Sequence, residues 1–201
     1  MRYLIKLLLT SLILISCKNN EKKVVEEFYY PNKSEFSKSE NYRFLELKEF
    51  KNFNQLVDSL ENLNYRGKKA YLKIENVNAR YNYLTSTTFG QCYPILLKFK
   101  NILSISKDSI KKEKDYPIGE LKTVLKKDLL NFGKNNRFSD SPGKLVISLT
   151  SEIDELENLI LKVTSVFNEI QKDASDSLKL NIYINRRMEI YPPPPKIKKI
   201  K

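Results

Sequence analysis

Two cysteines and no histidine limit the chemistry open to this chain. Without imidazole there is no Ser–His or Cys–His nucleophilic pair and no His-ligated metal site. We expect no catalytic residue, no metal and no cofactor. Cys92 lies in "FGQCYP" with nothing nearby to lower its pKa, and reads as a buried apolar cysteine. Glu152, Asp154, Glu155 and Glu157 crowd one helix start, where they read as solvated charges that suit the helix dipole. A carboxylate-dependent hydrolase therefore ranks last among the functions considered. The stretch "ARYNYLTSTTFGQCYP" sets Arg80, Tyr81 and Tyr83 beside a Thr/Ser loop. Aromatic faces next to hydroxyls and amides can stack on sugar rings, so these three are candidate ligand-binding residues. The competing reading puts Tyr81 and Tyr83 on one strand face, packing a core.

Cys17 is the other thiol, and its setting is specific. Arg2 and Lys6 make a basic start, Leu7 to Ile15 is apolar apart from Thr10 and Ser11, and Ser16 is small. That order reads as a secretory signal over residues 1–16. The apolar stretch covers only about half of a ~30 Å bilayer core, too little for a stable span. Leu14-Ile15-Ser16-Cys17 resembles the lipobox of bacterial lipoproteins. The resemblance implies a diacylglyceryl group on the Cys17 thiol, cleavage before it, and acylation of the new amine. Two or more acyl chains hold a protein stably on a membrane. The implied location is a bacterial cell envelope, at the outer membrane and facing the periplasm, with the membrane as partner through acylated Cys17. Cys92 then has no disulfide partner within the chain.

The formal charge of +12 suits anionic neighbours such as lipid headgroups or wall polymers. The abundant Lys, Asn and Ile are equally what an AT-rich genome supplies. Nucleic acid is not expected as a partner of an exported chain that carries no nucleic-acid motif.

Residues 17–40 read as a lipid anchor and polar tether. Val24, Val25, Phe28, Tyr29 and Tyr30 are its apolar exception and can add an edge strand. Residues 41–191 read as one domain, and 192–201 as an extended Pro/Lys-rich arm that four consecutive prolines keep out of any strand. Within the domain, apolar spacing predicts helices near 53–64, 118–131 and 152–171. Alternation predicts strands near 69–75, 144–149 and 179–185, and a hairpin from Ile102 turning at Lys107-Asp108. Asn52 with Gln55, and Ser151 with Asp154, have capping spacing. Pro117 suits a first helical position, and Phe132 shares the face of Leu121 and Leu125. The expected fold is α/β (α+β), a two-layer sandwich of a mixed sheet with about three helices.

From Leu96 to about Tyr191 the order is hairpin, "PIGELKTVLKK", "GKLVISL", a helix and "LNIYI". This resembles the periplasmic domain of the ExbD/TolR family, which runs from a strand pair through helix, strand and helix to a last strand. Members of that family carry a membrane helix with a proton-coupling aspartate. Residues 1–17 contain no acid, so that role does not carry over. The resemblance implies a non-enzymatic accessory role in contact with an envelope protein or peptidoglycan. A carbohydrate- or peptidoglycan-fragment-binding lipoprotein is the alternative.

Overall fold

A computed structural model describes residues 26–36, 42–75, 79–87, 97–174 and 178–186. Cys17, Cys92 and residues 192–201 lie outside the described residues. Nine strands form one mixed sheet: β1 (Glu26–Tyr30), β2 (Tyr42–Glu46), β3 (Lys69–Glu75), β4 (Ala79–Ser86), β5 (Ile102–Ile105), β6 (Ser109–Lys111), β7 (Asp115–Pro117), β8 (Val146–Leu149) and β9 (Ile182–Ile184). The order across the sheet is β2-β3-β4-β9-β8-β5-β6-β7, with β1 pairing β4 beside the start of β9. β1, β4, β9, β8 and β5 all run the same way. Four α-helices are described: α1 (Lys33–Phe36), α2 (Phe53–Tyr65), α3 (Leu121–Leu129) and α4 (Ile153–Asp173).

Alternation explains the sheet. Tyr116, Ile110, Ile105, Leu149 and Ile184 stand in register across five strands, all buried on one face. Leu45, Leu72, Tyr83 and Tyr30 do the same across four others. Phe53, Leu56, Val57 and Leu60 of α2, Leu121, Val124, Leu125 and Leu129 of α3, and one face of α4 join them in a single core. Each such side chain contributes about 1.5–3 kcal/mol on burial. α4 shows the clearest cause. Leu156, Ile160, Val163, Phe167 and Ile170 recur at three- and four-residue intervals, and all are buried.

The helices at 53–65, 121–129 and 153–173 and the strands at 69–75, 146–149 and 182–184 fall where periodicity placed them, in one sheet. The fold is α/β. Local details differ. Asn52 Oδ1 accepts from Gln55 N at 3.0 Å, but Gln55 Oε1 accepts from Lys51 N at 2.9 Å, so only half of the expected box forms. Ser151 does not cap α4. The carbonyl of Glu152 accepts from Leu156 N at 3.1 Å, which makes Glu152 the first residue of the helical ladder. Pro117 closes β7 instead of opening a helix, because Ile118 N still donates to Asp108 O at 3.0 Å. A 3-10 turn, Ile118–Glu120, intervenes before α3. Phe132 lies past the end of α3 at φ 46° and is exposed, so it takes no part in the helix face.

The largest correction concerns the tether. Residues 26–36 belong to the fold: β1 pairs β4 from Glu26↔Ala79 to Tyr30↔Tyr83. The Tyr30 ring stacks on Tyr83 with centroids 5.2 Å apart, and Phe36 of α1 stacks on Tyr71 at 4.1 Å. Aromatic burial makes this segment structure, despite its charged neighbours. Eight residues, 18–25, separate Cys17 from Glu26, a reach of about 30 Å at most.

Candidate functional site

The three ligand-binding candidates sit on β4 and are spent inside the fold. Tyr83 is fully buried, and its hydroxyl meets Thr164 Oγ1 at 2.9 Å. Burial drives its phenol pKa far upward, so it stays neutral. Tyr81 packs at the core margin, stacked on Phe28 at 5.2 Å. Arg80 donates to Glu75 Oε1 and, at 2.7 Å, to Glu27 Oε1. These pairs hold Glu75 below the ordinary carboxylate range. The three residues line none of the three best-formed clefts among the described residues.

A different site emerges at the carboxyl ends of β5 and β8. The chain turns there at Ser106–Ser109 between β5 and β6, at Thr150–Glu152 between β8 and α4, and at Arg186 after β9. These turns and the start of α2 enclose a cleft of about 640 Å³. Ligands of α/β proteins commonly bind outside the carboxyl ends of parallel strands, where connecting loops can converge.

The sheet itself supplies the floor. Register sets Lys111 beside Ser104 and Ser104 beside Ser148, all on the face opposite the core. Asn185 Nδ2 donates to Ser148 Oγ at 2.9 Å, and Thr150 Oγ1 donates to the Asn185 carbonyl at 2.9 Å. Ser106 Oγ meets Ser109 Oγ at 2.9 Å across the hairpin turn. Ser151 Oγ is buried and has no hydrogen-bond partner among the described residues.

Charge in the cleft is mixed. Lys107 pairs with Glu155, and Arg186 reaches out to Asp58 and Glu61 of α2. Lys111 and Glu152 carry no ion pair among the described residues. Such a lining of hydroxyls with a free cation and a free anion suits a polar ligand with several hydrogen-bonding groups. Asp108 and Glu152 are both open to water, which gives neither the dry surroundings that acid–base pairs use.

These residues escaped the sequence reading because no run of chain contains them. Their signal was faint: "ILSI" and "VISL" each carry one serine at an outward position of an otherwise apolar strand.

The opposite end of the sheet is organised by buried polar groups. Lys112 and Asp128 pair at 2.8 Å with side chains 2% and 0% exposed. Lys112 Nζ also donates to the carbonyls of Lys100 (2.6 Å) and Ile102 (3.1 Å), while Asp128 Oδ1 accepts from Ser139 N at 2.7 Å. Burial pushes the Lys112 pKa down and the Asp128 pKa up, against the attraction between them. Asn101 Oδ1 accepts from Asp140 N at 2.9 Å and from Ser139 Oγ at 3.2 Å. The loop after α3 is thereby fixed to the start of β5.

Asp140 accepts from Lys100 and Lys98, which pull its pKa from 3.8 to about 2. A carboxyl depressed in the folded state adds stability above its unfolded pKa and loses it on acidification. Asp140→Asn should therefore flatten the fall in stability between about pH 4 and pH 2, measured by urea unfolding at each pH. An unchanged acid limb would mean that the two lysines do not hold Asp140.

Among the described residues no helix is long and apolar enough to cross a membrane, and no three Cys, Asp or Glu side chains gather as a metal site. No protein-family model matches the chain, and no curated protein or solved structure matches it either.

Proposed function

We propose that the chain is a lipid-anchored accessory protein of a bacterial envelope, held by acylated Cys17 and contacting a protein or wall-polymer partner without catalysing a reaction. One observation carries this reading. Eight residues lie between the lipobox-like Leu14–Cys17 and the first strand, and the polar cleft lies at the far end of the parallel strands. The short leash brings the anchor to the amino end of β1, so the cleft is the end set to meet something other than the anchor. The order from β5 through α3, β8 and α4 to β9 supports an ExbD/TolR-like domain without proton coupling. The location proposed with it is the outer membrane, facing the periplasm.

The cleft also supports a second reading, binding of a carbohydrate or peptidoglycan fragment. Six hydroxyl side chains converge there, whereas Arg80, Tyr81 and Tyr83 are engaged elsewhere.

Replacing Cys17 by Ser tests the first reading, since a hydroxyl is a far weaker nucleophile than a thiolate. The variant should accumulate as uncut precursor or appear in soluble fractions, and should take up no labelled palmitate. Normal membrane partitioning of a fully processed Cys17→Ser protein would end the proposal.

A further inference from the structure

The amino ends of β5, β8 and β9 carry a surface unlike the cleft at the other end. Phe99, in the 3-10 turn leading into β5, is 74% exposed, and Phe132, between α3 and β8, is 46% exposed. Among the described residues neither ring stacks on another ring or joins the core. Phe132 is held at φ 46°, and its neighbour Asn131 donates to the carbonyls of Asn135 and Ser139. The loop therefore has a defined shape with its aromatic ring in water.

Exposed cations share this end of the fold with the rings. Lys98, Lys134, Arg137 and Lys144 are all exposed on this end. From Asn131 to Lys144 the sequence holds one acid, Asp140, and Lys98 and Lys100 already neutralise it. Lys127 lies in the last turn of α3 and Lys179 precedes β9 at the same end. The position is the third observation. β1 runs parallel to β5, β8 and β9, so the chain from Cys17 enters the fold at this end, across at most about 30 Å.

We infer that this end of the domain is a membrane-docking surface for bilayers that contain anionic phospholipids. Phe99 and Phe132 seat at the boundary of headgroups and acyl chains, while Lys134, Arg137 and Lys144 lie against the phosphates. A soluble anionic polymer would need the cations alone, and the two exposed rings on the same end favour lipid. The leash rests on the lipoprotein reading, but the aromatic and cationic surface stands without it. Docked this way, the domain turns its polar cleft away from the membrane.

The test uses an unacylated chain starting at Lys18, which retains every described residue. Its sedimentation is measured with vesicles of phosphatidylcholine alone and of phosphatidylcholine mixed with phosphatidylglycerol, in rising salt. Binding should require phosphatidylglycerol and weaken as salt screens it. The double variant Phe99→Ser/Phe132→Asn should lower binding about tenfold with no change in charge. Lys134→Glu/Arg137→Glu/Lys144→Glu should lower it at least about tenfold and remove most of the salt dependence. Both variants alter exposed residues and should melt as the parent does, and asparagine tolerates the positive φ at residue 132. A chain also lacking residues 192–201 should keep most of the binding. Equal binding by parent and both variants, or loss of all binding with the tail, would overturn the inference. So would equally tight binding to soluble anionic wall fragments that needs the lysines and ignores the rings. Palmitate labelling of Cys17 is read separately, so failure of the anchor and failure of the surface remain distinct.

Discussion

Replacing Lys112 by Met lowers the unfolding free energy by about 3–5 kcal/mol, because Asp128 is then left buried and unpaired. Both side chains are almost fully withdrawn from water, and the lysine ammonium joins Asp128 to the carbonyls of Lys100 and Ile102. Three segments meet there: the end of β6, the last turn of α3 and the start of β5. Asp128 further accepts from Ser139 N, so the basic loop that ends at Lys144 should loosen with it. Urea unfolding of the Lys18-start chain reads the effect directly. The double variant Lys112→Met/Asp128→Leu should recover much of the loss, since replacing a buried pair by apolar groups of similar size is often neutral or stabilising. A loss under about 1 kcal/mol in Lys112→Met would show that water reaches the pair.

Tyr30→Ala should cost about 3–4 kcal/mol, a fall of roughly 10 °C in Tm for a domain of this size. The ring is 7% exposed, stacks on Tyr83 and meets Phe167 edge-on, with centroids 6.3 Å apart. Its hydroxyl accepts from Asn168 Nδ2 at 3.1 Å. Truncation opens a cavity against Tyr83 and α4 and weakens the hold of β1 on β4. If residues 17–40 were a tether throughout, the same change would be silent. Thermal and urea unfolding of Tyr30→Ala against the parent therefore measure where the fold begins.

The helices and strands that pack the core were legible because their apolar residues repeat at the period of the element. Ile153 to Ile170 shows a helix and Ala70, Leu72, Ile74 a strand with no tertiary information. β1 was legible only as an option, since its charged neighbours hide Phe28 and Tyr30, and their partners Tyr81 and Tyr83 lie far along the chain. Strand β7 was missed because "DYP" is three residues long and ends in proline. Arg80, Tyr81 and Tyr83 drew attention by residue type, and the structure spends them on Glu27, Phe28 and Thr164. Ser104, Ser148 and Lys111 form their row only through strand register, which a single sequence does not encode locally. Phe132 reads as a core residue by helical spacing. Only the early end of α3 and the turn at Phe132–Gly133 put it in water.

Acylation of Cys17, close to the start of the fold, is the central element of the proposed function. Mass spectrometry of the amino-terminal peptide, from protein extracted out of the membranes of its own host, tests this most directly. The account predicts a chain that begins at Cys17 and carries a diacylglyceryl group and an amide-linked acyl chain. An amino terminus that still includes residues 1–16, or a processed chain with a free Cys17 thiol, would contradict it.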